Sequence, residues 1–182
     1  MCRFLTQPSR SLDIPRKAGT RRQRFHPMEE KIHVSFIPSL TGQHILGEQE
    51  RKLLALPSRL GGLGISNPEE AADEQYDASL RTTAPLAALI VQQETSIATA
   101  CEEVQKVRKK IRKESRQRQE NRAQTLKDGP MQRHLELASE KGASTWLEAL
   151  PIKDQCFHLS RNEFRDSLCL RYGWRPPKLP AA

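Results

Sequence analysis

The sequence predicts an all-α fold: a small helical domain with one long protruding basic helix and a disordered basic N-terminal arm. Three observations carry this expectation. Apolar residues recur at helical spacing, as in Phe164, Leu168 and Tyr172 at i, i+4 and i+8. No Gly or Pro interrupts the chain between Leu86 and Asp128, which leaves room for a single long helix. Helix-start chemistry occurs twice: Asn67 ahead of Pro68 and Glu69-Glu70, and Ser160 with Glu163 three positions later.

Taken in order, residues 1–27 are basic, punctuated by Pro and Gly and without periodicity, the pattern of a disordered arm. The run from Pro15 to Arg24 fits a nuclear address or a nucleic-acid-binding arm, and equally a solvated tail. A short helix is expected from about Pro27 to Phe36, with Ile32 and Phe36 on one face, before Pro38 and Gly42 break the chain. The next, Gly47 to Leu56, carries Glu48 and Glu50 in its first turn, where the helix dipole favours them. It stops at Pro57, which has no amide to donate.

Gly61, Gly62 and Gly64 then alternate with Leu60, Leu63 and Ile65. Glycine permits positive φ or close backbone approach, so a tight loop turning its leucines into a core is expected. A phosphate-cradling loop would need a preceding strand and a different glycine spacing, and Gly-Gly-Leu-Gly offers neither.

The helix capped by Asn67 is expected to run to about Arg81 and to stop before Pro85. From Pro85 the longest helix begins. Ile90, Ile97, Val104 and Ile111 fall at sevenfold spacing, with Leu86, Gln93, Ala100 and Val107 in the complementary position. Two roles fit this series: a self-association seam making a homodimer, or one face of a helix packed on its own domain. Residues 112–127 continue as a charged extension with nothing to bury. After Asp128-Gly129-Pro130 come a helix over 130–141 with Met131, Leu135 and Ala138 on one face, closed by Gly142, and a short helix over 143–150 stopped by Pro151. Phe157 to Leu159 is read as a brief extended run, and a last helix runs from Ser160 to Gly173. The organisation expected is an arm at 1–27, a helical region at 28–103, a basic helical linker at 104–128 and a small helical region at 129–182.

The chain has 182 residues, 36% hydrophobic and 5% aromatic, enough for a modest core only. Its net charge of +8 is unevenly placed. Residues 1–27 hold seven Lys/Arg against Asp13, a net of +6, and residues 104–126 hold nine against Glu114 and Glu120, a net of +7, so the remainder is acidic. Basic segments on an acidic body favour a polyanionic partner, RNA or DNA. Cys2, Cys101, Cys156 and Cys169 are scattered without Cys-x-x-Cys spacing, which fits reduced thiols of an intracellular protein, nuclear or cytoplasmic, rather than a zinc site or a disulfide framework. No apolar run approaches the ~20 residues of a membrane span, and no signal-peptide core is present.

Two stretches resemble a known family. "FIPSLTG" (36–42) followed by "LLALPSRLGGLGISNP" (53–68) is similar to the region downstream of the polymerase palm in reverse transcriptases of invertebrate non-LTR retrotransposons. "SEKGASTWLEALPI" (139–152) and "FHLSRNEFRDSLCLRYGWRPPKLP" (157–180) resemble the segment between thumb and terminal Cys/His cluster of the same polyproteins. Together the matches span about residues 29–178. The resemblance implies a thumb-to-linker fragment of a reverse transcriptase. The Tyr-x-Asp-Asp palm motif and the Cys/His cluster that follows "WxPPxLP" in the family are not in this sequence.

Nucleotidyl transfer needs paired carboxylates on two metal ions, which polymerases take from the palm. Glu69-Glu70 and Asp73-Glu74 are acidic pairs, but a helix start accounts for them. His158 with Cys156 or Cys169 has no third orienting group. The expectation is therefore a protein without enzymatic activity, with no metal, cofactor or small-molecule substrate. Its candidate binding residues are Lys106, Arg108, Lys109, Lys110, Arg112, Lys113, Arg116, Arg118 and Arg122, read as spread over all sides of the helix, where they can contact phosphates without reading bases. The alternatives are a solvated spacer, or a coiled-coil interaction module built on Ile90, Ile97, Val104 and Ile111.

Overall fold

The computed structural model of the chain describes residues 18–42, 47–155 and 158–176. It is all-α, with no strand among the described residues: α1 (Ala18–Lys31), a π-helical turn (Ile32–Phe36), α2 (Ile37–Thr41), α3 (Glu48–Ala55), a 3-10 turn (Ser58–Leu60), α4 (Pro68–Gln92), α5 (Ile97–Lys127), α6 (Gln132–Ser139), α7 (Thr145–Glu148), a 3-10 turn (Lys153–Gln155) and α8 (Arg161–Tyr172).

The helix expected from Pro27 starts already at Ala18 and keeps Pro27 inside it. Polar docking orders these residues, which have little apolar surface to bury. Arg22 pairs with Asp73 at 2.8 Å, His26 lies 3.2 Å from Glu69, and the Arg21 guanidinium sits 3.4 Å over the Tyr76 ring. The rest of the expected arm, 1–17, lies outside the described residues. Further on, Pro38 removes an amide and its ring crowds the preceding turn. The chain accommodates this by widening, with Ile37 N–H bonded to Ile32 O in the i→i−5 pattern of a π turn.

Asn67 caps α4 as expected, its Oδ1 accepting from Glu69 N and Glu70 N at 2.9 and 3.1 Å. The helix does not stop before Pro85, however, but runs through it to Gln92. Thr82 and Thr83 bond back to the carbonyls of Ala78 and Ser79 at 2.7 and 3.0 Å, a local arrangement helices tolerate with some bending. The uninterrupted helix expected from Pro85 past Ile111 is instead broken at residues 93–96. Gln93 takes the left-handed conformation (φ 55°), and Glu94 N–H reaches Leu89 O at 3.1 Å. This is a helix C-cap geometry usually given to Gly, so no residue there announces the turn.

α5 therefore doubles back along α4. Glu74 meets Arg122 at 2.8 Å and Arg81 meets Glu114 at 2.7 Å, a descending register that makes the pair antiparallel. α1 lies on α4 antiparallel as well. The long basic helix does not protrude alone; what extends beyond α1 is the α4–α5 hairpin.

The core gathers Ile37, Leu53, Leu54, Leu56, Ala123, Leu126, Leu135, Ala138, Leu168, Cys169, Tyr172 and Trp174. It draws on α2, α3, the end of α5, α6 and α8, so the regions read as 28–103 and 129–182 share one core, and 104–128 is not a spacer between them. The charged extension expected at 112–127 likewise buries Ala123 and Leu126. Phe164 packs edge-on to Trp146, with ring centroids 5.3 Å apart, and Leu168 and Tyr172 are fully buried on the same face. Met131, Leu135 and Ala138 also face the core as the spacing indicates. Phe157 of the expected extended run lies outside the described residues, and His158 and Leu159 form no strand.

The glycine loop is a packing device. Gly62 passes so close to the end of α3 that a Cβ there would lie 1.8 Å from the Leu56 carbonyl oxygen. This approach lets Leu63 N and Ile65 N bond to Leu54 O at 3.2 and 3.1 Å, and turns Leu60, Leu63 and Ile65 toward the core.

Candidate nucleic-acid interface

α5 spans ~46 Å at 1.5 Å per residue, and its two faces differ. Ala100 and Val104 are buried, while Val107, Ile111, Glu114 and Arg118 are half-buried along the seam with α4. The nine basic residues accordingly do not act as a rod charged on all sides. Arg118 and Arg122 turn to Glu74, at 3.3 and 2.8 Å, and Arg116 pairs along the helix with Glu120 at 3.2 Å. Lys106, Arg108, Lys109, Lys110, Arg112 and Lys113 are exposed and form no ion pair among the described residues.

By helical spacing Lys106, Lys109, Lys113 and Arg116 point directly away from α4, with Arg108 and Arg112 on one flank and Lys110 on the other. The hydrogen bond from Arg81 holds the Glu114 carboxyl below its ordinary pKa, and the nearby charges of Arg81, Lys110 and Arg118 act in the same sense. Six cations in eight residues thus face solvent with no acid between them. Sequence spacing finds this run, but not the acid that removes Arg118 and Arg122 from it. Glu74 is distant in sequence and becomes their partner only when the hairpin closes.

The self-association series is split by the same turn. Ile90 lies on α4 and Ile97 on α5, exposed at 77% and 65%. Val104 and Ile111 belong to the intramolecular seam. These four residues do not form one stripe, because sevenfold spacing places side chains on one face only while the helix is unbroken.

The acidic pairs are divided between neighbours. Glu69 and Asp73 turn to His26 and Arg22 of α1, and Glu74 turns to α5. Among the described residues no group of three or more His, Cys, Asp and Glu is placed to hold a metal ion. Cys169 is buried and its thiol is pushed up by that burial, whereas His158 is exposed. Burial of this kind is that of a structural cysteine and not of an activated nucleophile. Cys156 lies outside the described residues.

A cavity of about 380 Å³ opens where α3, α4 and α5 meet, lined among others by Lys52, Leu56, Glu70, Glu74, Arg118 and Arg122. Its acids and bases largely neutralise one another, so it presents no single charge to a ligand. No helix of the described residues is long and apolar enough to cross a membrane. No protein-family model, no curated protein and no solved structure matches this chain.

Proposed function

We propose that this chain is a retrotransposon-derived, non-enzymatic helical module, intracellular in nucleus or cytoplasm, that binds RNA or DNA without sequence preference through the outward face of α5. The observation that carries the binding proposal is the run from Lys106 to Lys113, with six exposed cations and no ion pair among the described residues. Lysine and arginine on such a face exchange condensed counterions for phosphate contacts, a sequence-independent source of affinity. No aromatic residue lies between Tyr76 and Trp146, so the face has no stacking platform for single-strand bases. Descent from a thumb-to-linker region of a non-LTR reverse transcriptase is supported by the two quoted stretches. The absence of enzymatic activity is supported by the engagement of the Glu69, Asp73 and Glu74 carboxylates with His26, Arg22 and Arg122.

The test of binding is fluorescence anisotropy with labelled RNA and DNA across a salt series. Affinity is expected to fall linearly on a log–log plot, by about 0.7 to 0.9 per phosphate neutralised. Replacing Lys109, Lys110, Arg112 and Lys113 by Gln keeps helix propensity and is expected to weaken binding to all sequences alike, with a shallower slope. An unchanged slope would make the stretch a solvated spacer. Primer extension with Mg²⁺ or Mn²⁺ tests the absence of polymerisation, and a palm motif upstream with a Cys/His cluster downstream in the genomic sequence tests the ancestry.

A further inference from the structure

Pro27 divides α1 into two unlike parts. After it the helix is anchored: Glu29 is buried and accepts from Arg51 Nε and Nη2 at 2.7 and 2.8 Å. Ahead of it, residues 18–26 hold one apolar side chain larger than alanine, Phe25, and that side chain is exposed. Their contacts with α4 are polar and lie at the surface. Arg22 reaches Asp73 and His26 reaches Glu69 with side chains 57% and 67% exposed. The Arg21 guanidinium lies on the Tyr76 ring. Arg24 is exposed and forms no ion pair among the described residues.

Such contacts hold the segment weakly. Ion pairs this exposed contribute little to stability and are screened by salt. Pro27 supplies no amide for the Gln23 carbonyl, so the helix has its weak point where the anchored part begins. Nine residues without docking are too few for a stable helix in water. Residues 18–26 therefore stay helical only while α4 holds them, and they carry Arg21, Arg22 and Arg24 with no acid among them.

We propose that residues 18–26 are a releasable nucleic-acid-binding arm. In the free protein the arm is docked on Glu69, Asp73 and Tyr76; when RNA or DNA binds, it unfolds from α4 at Pro27 and passes its arginines to phosphate. This rests on nucleic-acid binding by α5 and adds a second contact to it. Two carboxylates, Glu69 and Asp73, hold the arm against the far denser charge of a phosphate backbone, and release of condensed counterions favours the exchange. Extended, nine residues reach ~30 Å from the hinge, enough to clear α4, which is ~10–12 Å across.

Tyrosine-selective NMR on the full chain tests it, because Tyr76 and Tyr172 are its only tyrosines. Tyr76 reports the contact with Arg21, and Tyr172 reports the buried core. Adding a short DNA duplex or RNA at low salt is expected to move the Tyr76 ring signal to the position it has in Arg21→Gln, while the Tyr172 signal stays. In anisotropy titrations, Arg21→Gln with Arg22→Gln and Arg24→Gln is expected to make the salt slope shallower by up to about 2 to 3. Glu69→Gln with Asp73→Asn is expected to tighten binding, and that gain to vanish when the three arginines are also replaced. The Tyr172 signal shows that the core of each variant stays folded. A parent chain that binds neither DNA nor RNA would overturn nucleic-acid binding by α5, and the arm with it. Binding that leaves the Tyr76 signal in place, a triple variant with the parent's slope, or a gain that persists without the arginines would overturn the arm alone.

Discussion

Arg51 donates from Nε and Nη2 to the two carboxylate oxygens of Glu29, at 2.7 and 2.8 Å, and both residues are buried. The remaining guanidinium nitrogen, Nη1, reaches Ile65 O at 2.7 Å, and Nη2 also approaches Ser66 O at 3.2 Å. One side chain thereby ties α1 to α3 and to the end of the glycine loop. Glu29→Ala leaves a buried, uncompensated cation and is expected to destabilise the fold by about 3–5 kcal/mol. Replacing both residues together, Glu29→Leu with Arg51→Met, removes the stranded charge and is expected to recover much of that loss. Urea denaturation of the two variants checks it, and equal losses would refute it.

Burial pushes the Tyr172 hydroxyl up to about 12 despite the opposing Arg171 charge and hydrogen bond. The folded state thus favours the protonated phenol. Its contribution is fully present below the unfolded pKa near 10 and is lost as pH rises through the folded value. Stability is expected to decline between about pH 10 and 12. In a spectrophotometric titration, the Tyr172 share of tyrosinate absorbance should rise with unfolding. Tyr172→Phe should remove that step, and a Tyr172 phenol titrating near 10 in the folded chain, read as the difference between the parent and Tyr172→Phe, would contradict it.

Glu74 accepts from Arg122 and lies beside Arg118, and all three side chains are at least a third exposed. Pairs so exposed contribute little to stability, so Glu74→Gln is expected to cost less than about 1 kcal/mol. It releases two cations on the α4-facing side of α5, beyond the end of the outward run. Nucleic-acid affinity should rise, and the salt slope should steepen by up to about 2. Anisotropy titrations of this variant beside the parent decide it; an unchanged slope would show that Arg118 and Arg122 cannot reach phosphate.

Gly62→Ala drives a Cβ into the Leu56 carbonyl and the Leu56 side chain. Backbone cannot yield there without losing the bonds from Leu63 and Ile65 to Leu54 O. A loss of about 3 kcal/mol or more is expected, at the upper end of overpacking effects. Gly64→Ala meets no neighbouring atom, although Gly64 has φ +74°, so it carries only the cost of the left-handed conformation, about 1–2 kcal/mol. Thermal melts that rank the two in the opposite order would refute the packing role of the loop.

Local chemistry made much of this protein legible from its sequence. The Asn67 and Ser160 caps, the stop at Pro57, the glycine loop and the core face Phe164–Leu168–Tyr172 each depend on residues within a turn or two of one another, and all appear in the structure. So does the basic run from Lys106 to Lys113, because exposure is the default for contiguous charge. What the tertiary structure alone decided are events between distant segments. The turn at Gln93 carries no Gly or Pro; packing of α5 along α4 makes it worthwhile, and that packing splits the sevenfold series. Helical order over Ala18 to His26 comes from acids and an aromatic on α4, not from its own propensity. The same closure sorts the cations, taking Arg118 and Arg122 into pairs with Glu74 and leaving six outside. Long-range ion pairs and helix reversals of this kind depend on which surfaces meet, and residue spacing within a single helix does not encode that.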